Sequence, residues 1–197
     1  MNRGFLAIAF YALFYALIQC PTVQGAEDAV TQMSVAHKLR GEGKRAEALA
    51  AYSKVLENPT SHPHDKGGAQ LWIGHLLREE GKQSEALASY SKVVGIKEAH
   101  PHDRGGAQMW IAHILREDNK IAEALKAYGT VVEWHDAHPH DRGGSQRWIG
   151  VLYFEAKDWV KARQAFDTVL KMKGCHPDDL KLAKEYLQKI NEVDTNR

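Results

Sequence analysis

Cysteine is almost missing from this chain of 197 residues: Cys20 and Cys175 are its only two. If the N-terminal segment is removed on export, only Cys175 remains, and no internal disulfide can form even in an oxidising compartment. Cys175 takes the place that Ala99 and Ala137 hold in earlier units, so it reads as a small residue at a helix end rather than as a reactive thiol. An excess of charge of one sign is missing too. The 26 Lys and Arg face 25 Asp and Glu, the formal net charge is +1, and no basic run occurs. A near-neutral chain of this kind is a poor partner for nucleic acid or an anionic membrane surface. Signatures of catalysis are lacking as well. No nucleophile stands at a convincing spacing from a base, and Gly67-Gly68 is a doublet without the lysine of a phosphate loop. The chain is therefore expected not to be an enzyme, and no cofactor is implied.

Long apolar runs are absent but for one. Arg3 is the only charge in the first 26 residues, and Gly4 to Ile18 behind it is uninterrupted by charge. That run falls short of the roughly 20 residues a spanning helix needs and has the length of a signal-peptide apolar region. Cys20 to Ala26 then supplies a polar, helix-breaking segment ending in small residues, with Val23 and Gly25 suited to cleavage after Gly25 and Ala26 a near alternative. The expectation is a signal peptide over 1–25, export to a periplasm or the exterior, and no membrane insertion after cleavage. An uncleaved N-terminal anchor is the alternative. Leu17-Ile18-Gln19-Cys20 is a poor lipoprotein site because bulky Gln19 precedes the cysteine.

What the chain has is a repeat. His62-Pro63-His64-Asp65, His100-Pro101-His102-Asp103 and His138-Pro139-His140-Asp141 recur at a spacing of 38 residues, and His176-Pro177-Asp178-Asp179 follows one period later. About 22 of 38 positions are identical between the units starting at His62 and His100, which excludes chance. A period in this range signals a solenoid, whose units bury their apolar faces only by stacking on one another. One period before His62, at Gln24, a degraded copy persists in Ala36-His37 and Ala48 to Tyr52.

Each unit reads as two helices. Asp65 is placed to cap the first after Pro63, and Gln70, Ile73, Gly74 and Leu77 recur at helical spacing. Gly81 suits the left-handed turn that ends it. The second helix is expected from about Ser84 to Lys97, with Ala86, Leu87, Tyr90, Val93 and Val94 on one stripe. The predicted organisation is repeat 1 over 26–61, repeat 2 over 62–99, repeat 3 over 100–137 and repeat 4 over 138–175. A capping helix over 176–193 and a frayed tail over 194–197 complete it. In the capping helix Ala183, Tyr186, Leu187 and Ile190 form the apolar face, while Lys181, Lys184, Glu185 and Lys189 lie opposite.

Ile73-Gly74, Leu77, Gly81, Glu85-Ala86-Leu87, Tyr90 and Pro101 resemble the tetratricopeptide repeat (TPR). The other units repeat the pattern, the third with Ala112, Leu115, Ala124 and Tyr128 and the fourth with Gly150, Tyr153, Ala162 and Phe166. The resemblance covers Ala26 to about Val193 and implies an all-α fold: a right-handed α-solenoid of four antiparallel helix hairpins plus a C-terminal capping helix. The unit departs from the family's usual 34 residues. About three extra residues precede the Pro, where they are expected to lengthen the second helix, and one follows it.

The resemblance also implies a function. First helices of such arrays line a concave groove that binds a partner's peptide, so this chain is expected to be a monomeric, non-catalytic scaffold for a protein or peptide ligand with acidic groups. Carried over by position, the groove comprises Met33, His37 and Arg40 from the first unit. Leu71, Trp72, His75, Arg78 and Glu79 come from the second, and Met109, Trp110, His113, Arg116 and Glu117 from the third. The fourth supplies Arg147, Trp148, Val151, Phe154 and Glu155. On a helical wheel Trp72, His75 and Glu79 face away from the unit's own second helix. The tryptophans could equally pack as core between neighbouring first helices.

A metal-binding protein is the alternative. Its ligands would be His62, His64 and Asp65, His100, His102 and Asp103, or His138, His140 and Asp141, which are suitable types for zinc, copper or nickel. Against this, an intervening proline extends the backbone, and successive loops of stacked helices are expected about 10 Å apart. The motif is then read as loop capping, with the paired glycines admitting the preceding hairpin.

Overall fold

The proline in each repeated motif sets where the chain turns helical. In the computed structural model, which describes residues 21–195, the helices are α1 (Pro21–Gly41), α2 (Arg45–Glu57), α3 (Pro63–Glu79), α4 (Gln83–Gly95), α5 (Pro101–Glu117), α6 (Ile121–Glu133), α7 (Pro139–Glu155), α8 (Trp159–Lys171) and α9 (Pro177–Thr195). Pro63, Pro101 and Pro139 occupy the first helical position, where a fixed φ helps and a missing N–H costs nothing. The cap is therefore not the aspartate. Nδ1 of His62, His100 and His138 accepts from the backbone N–H two residues on, at 3.2, 3.2 and 3.3 Å. Asp65, Asp103 and Asp141 instead sit inside the first turn, where a carboxylate favours the positive end of the helix dipole. His176 caps α9 in the same way, accepting from the Asp178 N–H at 3.2 Å, so Asp178 is not its cap either.

The first helices of repeats 1 and 2 end in a left-handed residue, Gly43 at φ +75° and Gly81 at +76°. Asn119 and Lys157 take that conformation at φ 60° in repeats 3 and 4. The second helices are shorter than expected: α4 stops at Gly95, and Ile96 to His100 form a turn held by Ala99 N–H to Ile96 C=O at 3.0 Å. The extra residues of the 38-residue unit thus lengthen the connection, not the helix. That connection tucks a small residue against the start of its own first helix. A Cβ on Gly67 would lie 2.6 Å from the Ala99 Cβ, and one on Gly143 would lie 2.5 Å from the Cys175 sulfur. Gly67 and Gly143 therefore admit the loop that follows their own hairpin, while Gly68 and Gly144 receive Met33 and Met109 from the preceding repeat. Cys175 is buried there, and burial raises its thiol pKa.

Tyr52, Tyr90, Tyr128 and Phe166 are fully buried, one ring per hairpin, beside Ala36, Gly74, Ala112 and Gly150. Consecutive helices pack along the whole array. First helices also touch the next first helix (α1 to α3, α3 to α5, α5 to α7, α7 to α9), whereas second helices do not touch one another among the described residues. Elements in mutual contact lie on the inner radius of a curved stack, so the first helices form its concave side. The C-terminal helix closes the array, with Ala183 and Ile190 buried, Tyr186 and Leu187 half-buried and the four expected charges exposed.

Most of the expected signal segment, 1–20, lies outside the described residues. The backbone from Pro21 through Gly25 is helical, contrary to the helix-breaking reading, because proline is tolerated in a first turn. Helix α9 continues through Asp194 and Thr195, and Asn196 and Arg197 lie outside the described residues. No helix among the described residues is long and apolar enough to cross a membrane.

Candidate functional site

Trp72, His75 and Arg78 stand three residues apart on α3, close enough to one helical face to form a column. Stacking the repeats turns the columns into one continuous array of rings. Trp72 sits edge-on between His37 of the preceding first helix and His75 of its own, with centroids 5.7 and 5.1 Å away. Trp110 sits likewise between His75 and His113, at 5.3 and 5.0 Å, and Trp148 lies 5.2 Å from His113. The guanidinium of each preceding repeat covers the next tryptophan. Arg40 lies 3.6 Å from the Trp72 centroid, Arg78 4.2 Å from Trp110 and Arg116 4.3 Å from Trp148. Each such contact contributes about 0.5–2 kcal/mol and fixes the direction of the charge.

The histidines do not face away from their hairpins. Tyr52, Tyr90 and Tyr128 on the second helices share a hydrogen bond with Nδ1 of His37, His75 and His113, at 2.8, 2.9 and 2.6 Å. The helical wheel misplaced them because a first helix has neighbours on several sides and a tyrosine reaches around its edge. Burial, reinforced by Arg78 and Arg116 respectively, lowers the pKa of His75 and of His113 to about 4. His37 is lowered for the same reasons, and burial raises all three tyrosines. The imidazoles are therefore neutral near pH 7, and the positive charge of this face belongs to arginine.

The expected groove residues divide by exposure. Glu79, Glu117 and Glu155 are exposed. Met33, His37, Arg40, Trp72, His75, Arg78, Met109, Trp110, Arg116, Arg147, Trp148 and Phe154 are half-buried. Leu71, His113 and Val151 are buried and line no open surface, because neighbouring first helices close over them. Met33 and Met109 fill the gaps over Gly68 and Gly144. The fourth repeat diverts its groove residues into packing on α9. Arg147 pairs with Asp179 at 2.6 Å, and Phe154 meets Trp159 and Tyr186 edge-on at 5.1 and 4.9 Å. What remains open is a row of three arginines, Arg40, Arg78 and Arg116. None of them is ion-paired to a carboxylate among the described residues, and each has a buried Nε without a hydrogen-bond partner. Sequence reasoning missed the tyrosine hydroxyls. Their signal was the constant separation of 15 residues from each histidine.

The alternative ligand residues form a second row, along the loops. His62 and His64 are 4.8 Å apart, His64 and His100 5.8 Å, His102 and His138 5.3 Å, and His140 and His176 5.4 Å, centroid to centroid. Imidazoles of successive loops therefore come well within the roughly 10 Å spacing expected of the loops themselves, because side chains on adjacent helix starts lean toward each other. Asp65 is half-buried and stands apart from these ring contacts.

The tetratricopeptide repeat family pattern matches residues 36–103 and 111–179, well over half of the chain. The chain belongs to the tetratricopeptide repeat family. No curated protein matches it by sequence. Among solved structures it is similar to a tetratricopeptide repeat protein from Parabacteroides merdae, with 18% identity and a TM-score of 0.64 over 85% of this chain and 61% of that one. It thus spans less than two thirds of that relative. Pseudomonas aeruginosa pilF gives 16% identity and a TM-score of 0.64, over 86% of this chain and 72% of that one. BtubC from P. vanneervenii gives 16% and 0.64, over 92% and 85%. At these identities the likeness is one of fold. Tetratricopeptide arrays are typically non-catalytic scaffolds for protein–protein interaction.

Proposed function

We propose that the protein is an exported scaffold that binds an extended, acid-bearing segment of a partner protein along its concave face. The observation that supports this most is the row of arginines. Arg40, Arg78 and Arg116 are each held over a tryptophan ring and are not ion-paired to a carboxylate among the described residues. Arginine on an aromatic face is pre-ordered, so little rotamer entropy is lost when its fork meets a carboxylate. Packed helices stand about 10 Å apart and an extended chain rises about 3.3 Å per residue, so the row suits carboxylates at every third residue of the ligand. Exposed Glu79, Glu117 and Glu155 beside the row disfavour a ligand with acids at every position.

The test is fluorescence anisotropy with two labelled ten-residue peptides, one carrying Asp at every third position and one carrying Asn there. The Asp peptide should bind at least tenfold tighter, and Arg78→Ala with Arg116→Ala should abolish the preference while helical circular dichroism is retained. Equal binding of the two peptides would remove the arginine row from the proposal. Export rests on the Gly4 to Ile18 run, and the intact mass of protein recovered from the extracytoplasmic fraction tests it: loss of residues 1–25 is expected.

A further inference from the structure

The loop edge carries chemistry that the groove does not use. Asp141, on the first turn of α7, is only 4% exposed, yet no lysine or arginine pairs with it among the described residues. Its side-chain partner is an imidazole: His102 Nδ1, from the start of α5, lies 2.8 Å from its Oδ2. His138, the cap of α7, completes the group, and ligand atoms of His102, His138 and Asp141 all lie within 4.8 Å of one another. Both histidines are exposed, each with one hydrogen bond holding its ring. Three ligands at bonds of about 2 Å require separations somewhat over 3 Å, so a modest rotation of the two rings closes the set.

We propose that His102, His138 and Asp141 bind one divalent transition-metal ion of the zinc, copper or nickel class at the junction of repeats 3 and 4. Two imidazoles and a carboxylate suit that class rather than magnesium or calcium. Water completes the coordination. Metal on His102 Nδ1 moves that nitrogen's proton to Nε2 and replaces the hydrogen bond to Asp141 with a shared ion. His138 must give up something, because its Nδ1 caps α7. Coordination through Nε2 places its proton on Nδ1 and releases the cap. That loss, and the unfavourable dipole at a helix start, both weaken the site.

The repeat supplies its own controls. One period earlier, His64, His100 and Asp103 occupy the same places, but the rings are 5.8 Å apart and Asp103 is only half-buried, so that copy is weaker. One period later, His140, His176 and Asp179 do so, but there Arg147 is ion-paired to the aspartate at 2.6 Å, and a cation already fills the role. Leu71 and Met109 hold the place of Arg147 in the earlier repeats, so the competing cation is confined to the last junction.

Isothermal titration of tag-free protein with zinc, copper(II) or nickel(II) chloride tests this. About one equivalent should bind at micromolar concentration. Asp141→Asn, which keeps the shape and removes the anionic ligand, and His102→Ala, at an exposed ring, should each weaken binding at least tenfold with the helical melt retained. His176→Ala, at the copy occupied by arginine, should leave it unchanged. No heat with any of the three metals up to 100 µM would overturn the site. Equal losses from His102→Ala and His176→Ala would overturn it too, because the exposed histidine row would then be binding without a defined centre.

Discussion

Repeats 3 and 4 share a frame and fill it with different chemistry. In repeat 3, buried His113 bonds to the Tyr128 hydroxyl and Arg116 reaches forward to cover Trp148. In repeat 4 the same three places hold Val151, Phe166 and Phe154, and all three pack apolar surface toward α9. Phe166 lies parallel to Tyr186 at 4.9 Å, whereas Tyr128 lies parallel to Trp148 at 6.4 Å. The hairpin closes equally well either way, so the fold does not require the buried polar pair. A neutral imidazole bonded to a tyrosine and faced by arginine is retained only in the three repeats whose first helices offer an open arginine.

Acid should break this comparison most strongly. The unfolded-state pKa of histidine is about 6.5, and His75 and His113 are lowered to about 4 in the fold. Between those values the unfolded chain binds more protons, so stability falls as pH drops through that window, by about 4 kcal/mol for the two together. Raised Asp103 and Asp141 act in the opposite direction. The contrast that isolates one histidine is urea unfolding of wild type against His113→Val with Tyr128→Phe, which copies repeat 4 into repeat 3. The double variant should lose close to half of the acid sensitivity, and an unchanged slope would mean that His113 is not the titrating group.

At neutral pH the same pair gives the next largest effect. Tyr128→Phe alone leaves a buried imidazole nitrogen without its partner and should destabilise by about 1–3 kcal/mol. Adding His113→Val should recover most of that loss. If the double variant is less stable than the single one, the polar pair stabilises the hairpin in its own right.

The smallest effect compares repeats 2 and 3 across their helix contact. A Cβ on Gly74 would lie 2.6 Å from the Tyr90 ring, yet Ala112 carries a Cβ at the matching place beside Tyr128. Gly74→Ala gains about 1 kcal/mol of helix propensity and pushes the ring slightly, so thermal unfolding should change by less than about 1 kcal/mol. A loss above 2 kcal/mol would show that Tyr90 is seated more tightly than its repeat-3 counterpart.

Much of this was legible in the residues. The period, the hairpins, the rings of Tyr52, Tyr90, Tyr128 and Phe166, and the apolar face of α9 follow from spacing, because burial in a solenoid obeys the same register in every unit. Helix starts were misjudged by three residues, at Asp65 instead of His62, because a histidine ring can cap as an aspartate does, and the following proline already fits the first turn. The candidate site was only half legible. Trp72, Arg78 and their counterparts lie half-buried on the first helices, but Leu71, His113 and Val151 are buried and line no open surface. A helical wheel describes one helix, whereas burial depends on how many others touch it.

Periodicity and composition alone determined that this chain is a helical repeat array with one first-helix face rich in tryptophan and arginine. Tertiary structure decided which charges remain available. Arg147 is consumed by Asp179 while Arg78 is not, and His102 reaches Asp141 across a loop spacing that the sequence made look too wide. Spacing along one helix is set by local geometry, but the pairing of charges depends on distances between elements, which exist only after the units have stacked.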